Sequence, residues 1–111
     1  MSPTDISRSS SMLFAPFAAR VAAGLAEARD AGLALHVFEA WRPEARQDYL
    51  YAAGRTTAGP KVTNARGGES WHQYGLAVDL AFGGPGRWTW EGDWKAAIAI
   101  MRNAGLRSLA P

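Results

Sequence analysis

Apolar residues recur every three or four positions between residues 13 and 31, where Phe17, Val21, Leu25 and Ala28 share one face while Arg20, Glu27 and Arg29 fall on others. The pattern predicts an amphipathic helix. Pro16 sits near its start, where a missing N–H costs little, and Gly32 follows its end, where a left-handed cap is wanted. Residues 33–41, rich in Leu, Val, Phe and Trp, predict a strand. Pro43 opens a shorter helix over residues 43–53, with Glu44 in the first turn favouring the helix dipole and Gly54 just beyond the last turn. Glycine, proline, threonine and asparagine crowd residues 54–70, which predicts a long, shaped loop in which 61–64 can pair briefly as a strand. In residues 76–82 the alternation sends Leu76, Val78 and Leu80 to one side and Ala77, Asp79 and Ala81 to the other, as in a strand that buries its Leu/Val face. A Gly- and Trp-containing turn region over 83–92 leads to a helix over 93–104. That helix carries Trp94, Ile98 and Met101 at one-turn spacings and has Gly105 as its stop.

A chain of 111 residues has material for one hydrophobic core, so the expectation is a single domain over residues 1–111 on which every active group converges. Hydrophobic residues at 48% against 20% charged residues place the chain among folding globular proteins rather than disordered or fibrous ones. Five Trp are a high share, useful in a small core or on a wall that grips a ligand, and composition does not choose between the two. The formal charge of +2 is spread along the chain with no Lys/Arg stripe and no groove-reading motif, which argues against a nucleic-acid partner. With no cysteine, any metal must be held by histidine and carboxylates. No apolar run is long enough for a membrane span. The Ser-rich start lacks the charged-then-apolar order of a signal peptide.

The chemistry concentrates in Ser70-Trp71-His72-Gln73-Tyr74-Gly75-Leu76-Ala77-Val78-Asp79. His72 precedes a turn hinged at Gly75, and Asp79 lies on the following strand, opposite the Leu76/Val78/Leu80 set. A neutral imidazole and a carboxylate are suitable zinc ligands. Spacing alone leaves two readings open: a metal pair, or a buried His–Asp couple joined by a hydrogen bond.

The segment resembles Ser-x-His-x-x-Gly-x-Ala-x-Asp, the motif of the LAS zinc peptidases, which include D-alanyl-D-alanine carboxypeptidases and phage and bacterial L-alanyl-D-glutamate endopeptidases. Its five fixed positions are Ser70, His72, Gly75, Ala77 and Asp79. The resemblance extends to Glu39-Ala40-Trp41-Arg42-Pro43-Glu44-Ala45-Arg46-Gln47, similar to the group's Gly-Tyr-Arg-Ser-x-x-Arg-Gln, and on through Tyr49-Leu50-Tyr51, Gly54-Arg55-Thr56 and Val62-Thr63-Asn64-Ala65. It implies an α+β fold, a small antiparallel sheet with two or three helices packed on it, and a Zn2+ cofactor. It further implies zinc-dependent hydrolysis of peptidoglycan stem peptides, closer to the endopeptidase branch. By the same resemblance His72 and Asp79 are two of three zinc ligands, Arg42 holds a substrate carboxylate, and Ser70 lines the cleft beside the metal. Arg46 and Gln47 support the loop and the site. Taken without the family, Arg42 reads as an exposed cap of the short helix.

The chain departs from the family pattern at its end. The group's third ligand, a later histidine, and the acid that precedes it as general base have no counterpart after Gly105-Leu106, so the general base is unknown. The chain therefore reads as a C-terminally truncated domain lacking its last strands, either less stable than a longer relative or self-associating. His36 reads as a structural strand residue, and Glu39, Glu69 and Asp93 as solvated loop or strand-end acids. An alternative to the enzyme is a non-catalytic remnant that at most binds wall peptides. Localisation stays open: without a leader, a phage-like enzyme stays cytoplasmic until release and then acts at the cell wall, and a bacterial cell-wall enzyme missing its leader fits equally.

Overall fold

The three-and-four spacing of the first predicted helix becomes α1 (Ala15–Asp30) in a computed structural model that describes residues 2–63 and 65–108. Then follow β1 (Leu35–Glu39), α2 (Glu44–Ala52), a 3₁₀ turn (Trp71–Tyr74), β2 (Asp79–Phe82) and α3 (Trp94–Asn103). The chain belongs to the α+β class, with β1 and β2 pairing as a two-stranded antiparallel sheet. It divides into two compact units, Met1–Phe14 with Glu39–Val78, and Ala15–Phe38 with Asp79–Pro111. Among the described residues no helix is long and apolar enough to cross a membrane.

The second of these units holds the apolar core. Ala28 of α1, Leu35 of β1, Phe82 of β2, and Ala97 and Met101 of α3 are buried together, flanked by Leu25, Leu33, Leu80, Trp94, Ile100 and Leu106. Helix α1 turns Val21 and Ala28 inward, as its periodicity predicts, and buries Gly24 as well, which lets α3 come close: a Cβ there would lie 2.5 Å from Met101 Sδ. The helix stops at Gly32, whose φ of 82° is open to glycine at little cost. Asp93 caps α3 by accepting from Ala96 N at 3.0 Å.

Alternation gives the sheet two different faces. Leu35, Leu80 and Phe82 join the core, whereas His36, Phe38, Asp79 and Ala81 take the other side. On that side Trp88 and Trp90, flanking the Thr89 that bridges Phe82, close edge-on against Phe38 at centroid distances of 5.2 and 5.0 Å. Two of the five tryptophans therefore build a second, smaller aromatic cluster.

The strand predicted over 76–82 is shorter than its alternation suggests. Pairing begins at Asp79, and before it the burial is reversed: Leu76 is exposed while Ala77 is buried. The left-handed cap at Gly75 (φ 69°) sets the chain direction into this stretch, and the sheet-face alternation applies only once pairing begins. Residues 61–63 form no strand, and Asn64 lies outside the described residues.

The first unit is held differently. Among the described residues its buried apolar side chains are Leu13, Ala40 and Ala77, and five buried polar ones accompany them: Glu39, Arg42, Arg46, Gln47 and His72. Helix α2 buries Arg46 and Gln47, so its inward face is polar. Such an interior is tolerable only where every group finds a partner.

Candidate active site

His72 owes its position to a local device that its sequence encodes. Ser70-x-x-Gln73 is a capping box: Ser70 Oγ accepts from His72 N at 3.2 Å, and Gln73 Oε1 accepts from Ser70 N at 3.0 Å. This starts the 3₁₀ turn, and Gly75 ends it. No helical turn is predicted at 71–74, although the Ser-x-x-Gln pattern is the signal that marks one.

The imidazole is 7% exposed, and its Nδ1 lies 2.9 Å from the Ala40 carbonyl. A carbonyl only accepts, so Nδ1 carries the proton and the lone pair of the neutral ring sits on Nε2. A backbone carbonyl behind the ring is the arrangement that orients a metal-binding histidine.

Arg42 is 7% exposed, which overturns its reading as an exposed helix cap. Its Nη1 donates to Gln47 Oε1 at 2.9 Å and its Nη2 to Glu39 Oε1 at 3.1 Å. Glu39 also accepts from Arg46, through Nε onto Oε2 and Nη2 onto Oε1. At 2% exposure Glu39 is no solvated strand-end acid. It is the shared counter-charge of two buried guanidiniums, and sequence missed this because nothing in the local pattern marks a strand's last residue as buried.

Gln47 is fully buried and ties the loop to α2. Its Nε2 donates to Ala65 O at 2.7 Å and to Thr63 Oγ1 at 3.3 Å. Arg46 reaches Pro3 O at 3.0 Å, and Arg55 clasps the same loop through Thr63 O at 3.0 Å. On the exposed side of the loop, hydrogen bonding to Tyr51, followed by the charges of Tyr51 and Glu69, holds the Arg66 guanidinium above its usual pKa.

The structure thus brings Arg42, Ser70 and His72 together in the first unit. Arg42 N donates to His72 O at 3.3 Å, and Gln73 Nε2 donates to Arg42 O at 3.0 Å. Asp79 belongs to the second unit, where it opens β2, half-buried, on the sheet face opposite the core. His36, also in the second unit, is exposed and stacks edge-on against Trp88 at 6.3 Å. Glu69 accepts from Arg66 N, and Asp93 is spent on its helix cap. Among the described residues no group of three or more His, Cys, Asp or Glu side chains is placed to hold a metal ion. Each taken by itself, an imidazole whose proton sits on Nδ1 and a half-buried carboxylate are donor types that zinc accepts.

Residues 11–98 match the family profile of VanY, D-alanyl-D-alanine carboxypeptidase. The chain is also 38% identical over 92 residues to the peptidoglycan L-alanyl-D-glutamate endopeptidase CwlK of Bacillus subtilis strain 168, an alignment that covers 73% of this chain and 55% of the relative. The chain spans about half the length of that curated relative.

Proposed function

Because this chain belongs to the VanY D-alanyl-D-alanine carboxypeptidase family, we propose that it acts as a zinc-dependent peptidase on peptidoglycan stem peptides, as an endopeptidase of the L-alanyl-D-glutamate type. The single observation that carries the reading is the buried His72 with its Nδ1 proton held by the Ala40 carbonyl. That bond places the ring proton on Nδ1, so Nε2 is the atom that would ligate a metal.

In this reading His72 and Asp79 are the ligands the chain supplies, and the metal, when bound, polarises a peptide carbonyl as a Lewis acid. Arg42 holds a substrate carboxylate. A guanidinium has five donors in a fixed fork, and the bonds to Gln47 and Glu39 fix its plane in advance. Ser70, on the same turn as His72, lines the substrate side of the site. The endopeptidase branch is supported by the similarity to CwlK and by Val62-Thr63-Asn64-Ala65.

Zinc titration by calorimetry, together with mass spectrometry of digested peptidoglycan, tests the proposal. Stoichiometric binding lost in His72→Ala, and new amino termini at D-glutamate, are the expected results. Absence of zinc binding by the folded wild-type chain would overturn it. A second reading, a domain that binds wall peptides without cutting them, is favoured by the absence of a three-residue metal cluster among the described residues. Retention on peptidoglycan with no released fragments would select it.

A further inference from the structure

Imidazole in water exchanges its proton between two nitrogens, so a histidine serves as a directional ligand only where something outside the ring chooses between them. Here the chooser is the Ala40 carbonyl, which lies far from His72 in sequence. Nothing local keeps the two in register. Three hydrogen bonds do so instead: Trp41 Nε1 donates to Gln73 O at 3.2 Å, Gln73 Nε2 donates to Arg42 O at 3.0 Å, and Arg42 N donates to His72 O at 3.3 Å. The side chains of Trp41 and Gln73 supply two of the three.

We infer that Trp41 and Gln73 are positioning residues, a directional clamp that keeps the Ala40 carbonyl on His72 Nδ1 and so presents Nε2 as the ligand atom. The inference rests on reading His72 as a metal ligand. Both halves of the clamp have a fixed sense. An indole N–H only donates, so Trp41 must find a carbonyl. The Gln73 amide cannot flip. Its oxygen faces the Ser70 N–H and its nitrogen faces the Arg42 carbonyl, and reversal would set donor against donor and acceptor against acceptor. The same amide that completes the capping box under His72 therefore also locks the opposing segment.

The test uses the full chain with histidine-selective nitrogen NMR in the metal-free state, and cobalt(II) titration followed by its visible spectrum. Trp41→Phe keeps the ring and removes only the N–H; Gln73→Met keeps the length and removes the amide. With circular dichroism showing the fold retained, each variant is expected to mix the His72 tautomers and to speed exchange of the Nδ1 proton by about tenfold. Each is also expected to weaken cobalt binding by about 10–100-fold, the usual effect of removing an outer-shell partner. A role confined to stability would lower the melting point and leave the tautomer alone. Wild-type tautomer, proton exchange and cobalt affinity in both folded variants would overturn the clamp; Trp41→Phe alone decides the matter if Gln73→Met does not fold. A wild-type chain with a fixed Nδ1 proton, slow exchange that each variant accelerates, and no cobalt binding would sustain the clamp and remove the ligand reading, so the two failures are distinct.

Discussion

Replacing Glu39 by alanine tests whether the first unit is held by its buried charges. Glu39 is 2% exposed and lies between Arg42 and Arg46, themselves 7% and 6% exposed. The carboxylate accepts from Arg42 Nη2 at 3.1 Å, from Arg46 Nη2 at 3.3 Å and from Arg46 Nε. Its removal takes the shared carboxylate away from two buried guanidiniums, which cannot shed their protons. Breaking such a pair from one side destabilises by about 3–5 kcal/mol, because the surviving charge stays desolvated. A domain of this size has about 5–15 kcal/mol in all, so about a fifth or more of the stability is at stake. The midpoint of thermal unfolding should fall by on the order of 10–20 °C. Urea denaturation followed by circular dichroism measures the change. Replacing Glu39, Arg42 and Arg46 together by Leu or Met should leave stability within about 1 kcal/mol of wild type or above it, since the desolvation penalty disappears with the charges. A loss below about 1 kcal/mol for Glu39→Ala, the size expected of an exposed ion pair, would refute the reasoning.

Gln47→Leu fills the same space without the amide and removes the partner of Ala65 O, so a loss of about 1–3 kcal/mol is expected in denaturant melts. Faster tryptic cleavage after the exposed Arg66 should accompany it, because the loop loses its tie to α2. Gly75→Ala should lower stability by at least about 1–2 kcal/mol from the left-handed backbone alone, and the added Cβ would also meet Met12 O at 2.6 Å. In Gly83→Ala the new Cβ would fall 2.0 Å from Arg87 O, a backbone atom with little room to move, so this variant should melt well below Gly86→Ala, where nothing lies within 4 Å. Asp93→Ala should cost about 1 kcal/mol through the lost cap on α3, and Asp93→Asn only a few tenths, as read by thermal denaturation.

The order of elements was legible in the sequence because it depends on short-range rules. The spacing of Val21 and Ala28, the stops at Gly32 and Gly105 and the polar start at Asp93 act over one or two turns of backbone. The Ser70–Asp79 motif and the Arg42 segment were equally legible as chemistry, since residue type and order alone carry the family resemblance. Burial was not. Glu39 reads as a solvated acid and Arg42 as an exposed cap until α2, with Thr63 and Ala65 tied to it, packs beside them, because burial depends on partners distant in sequence. The Leu76/Val78 face fails for the same reason, as alternation describes a sheet face only where a partner strand exists. The choice of nitrogen on His72 belongs to the tertiary structure as well. It is made by a carbonyl brought from the end of β1, and no local pattern around the histidine encodes which atom will arrive there.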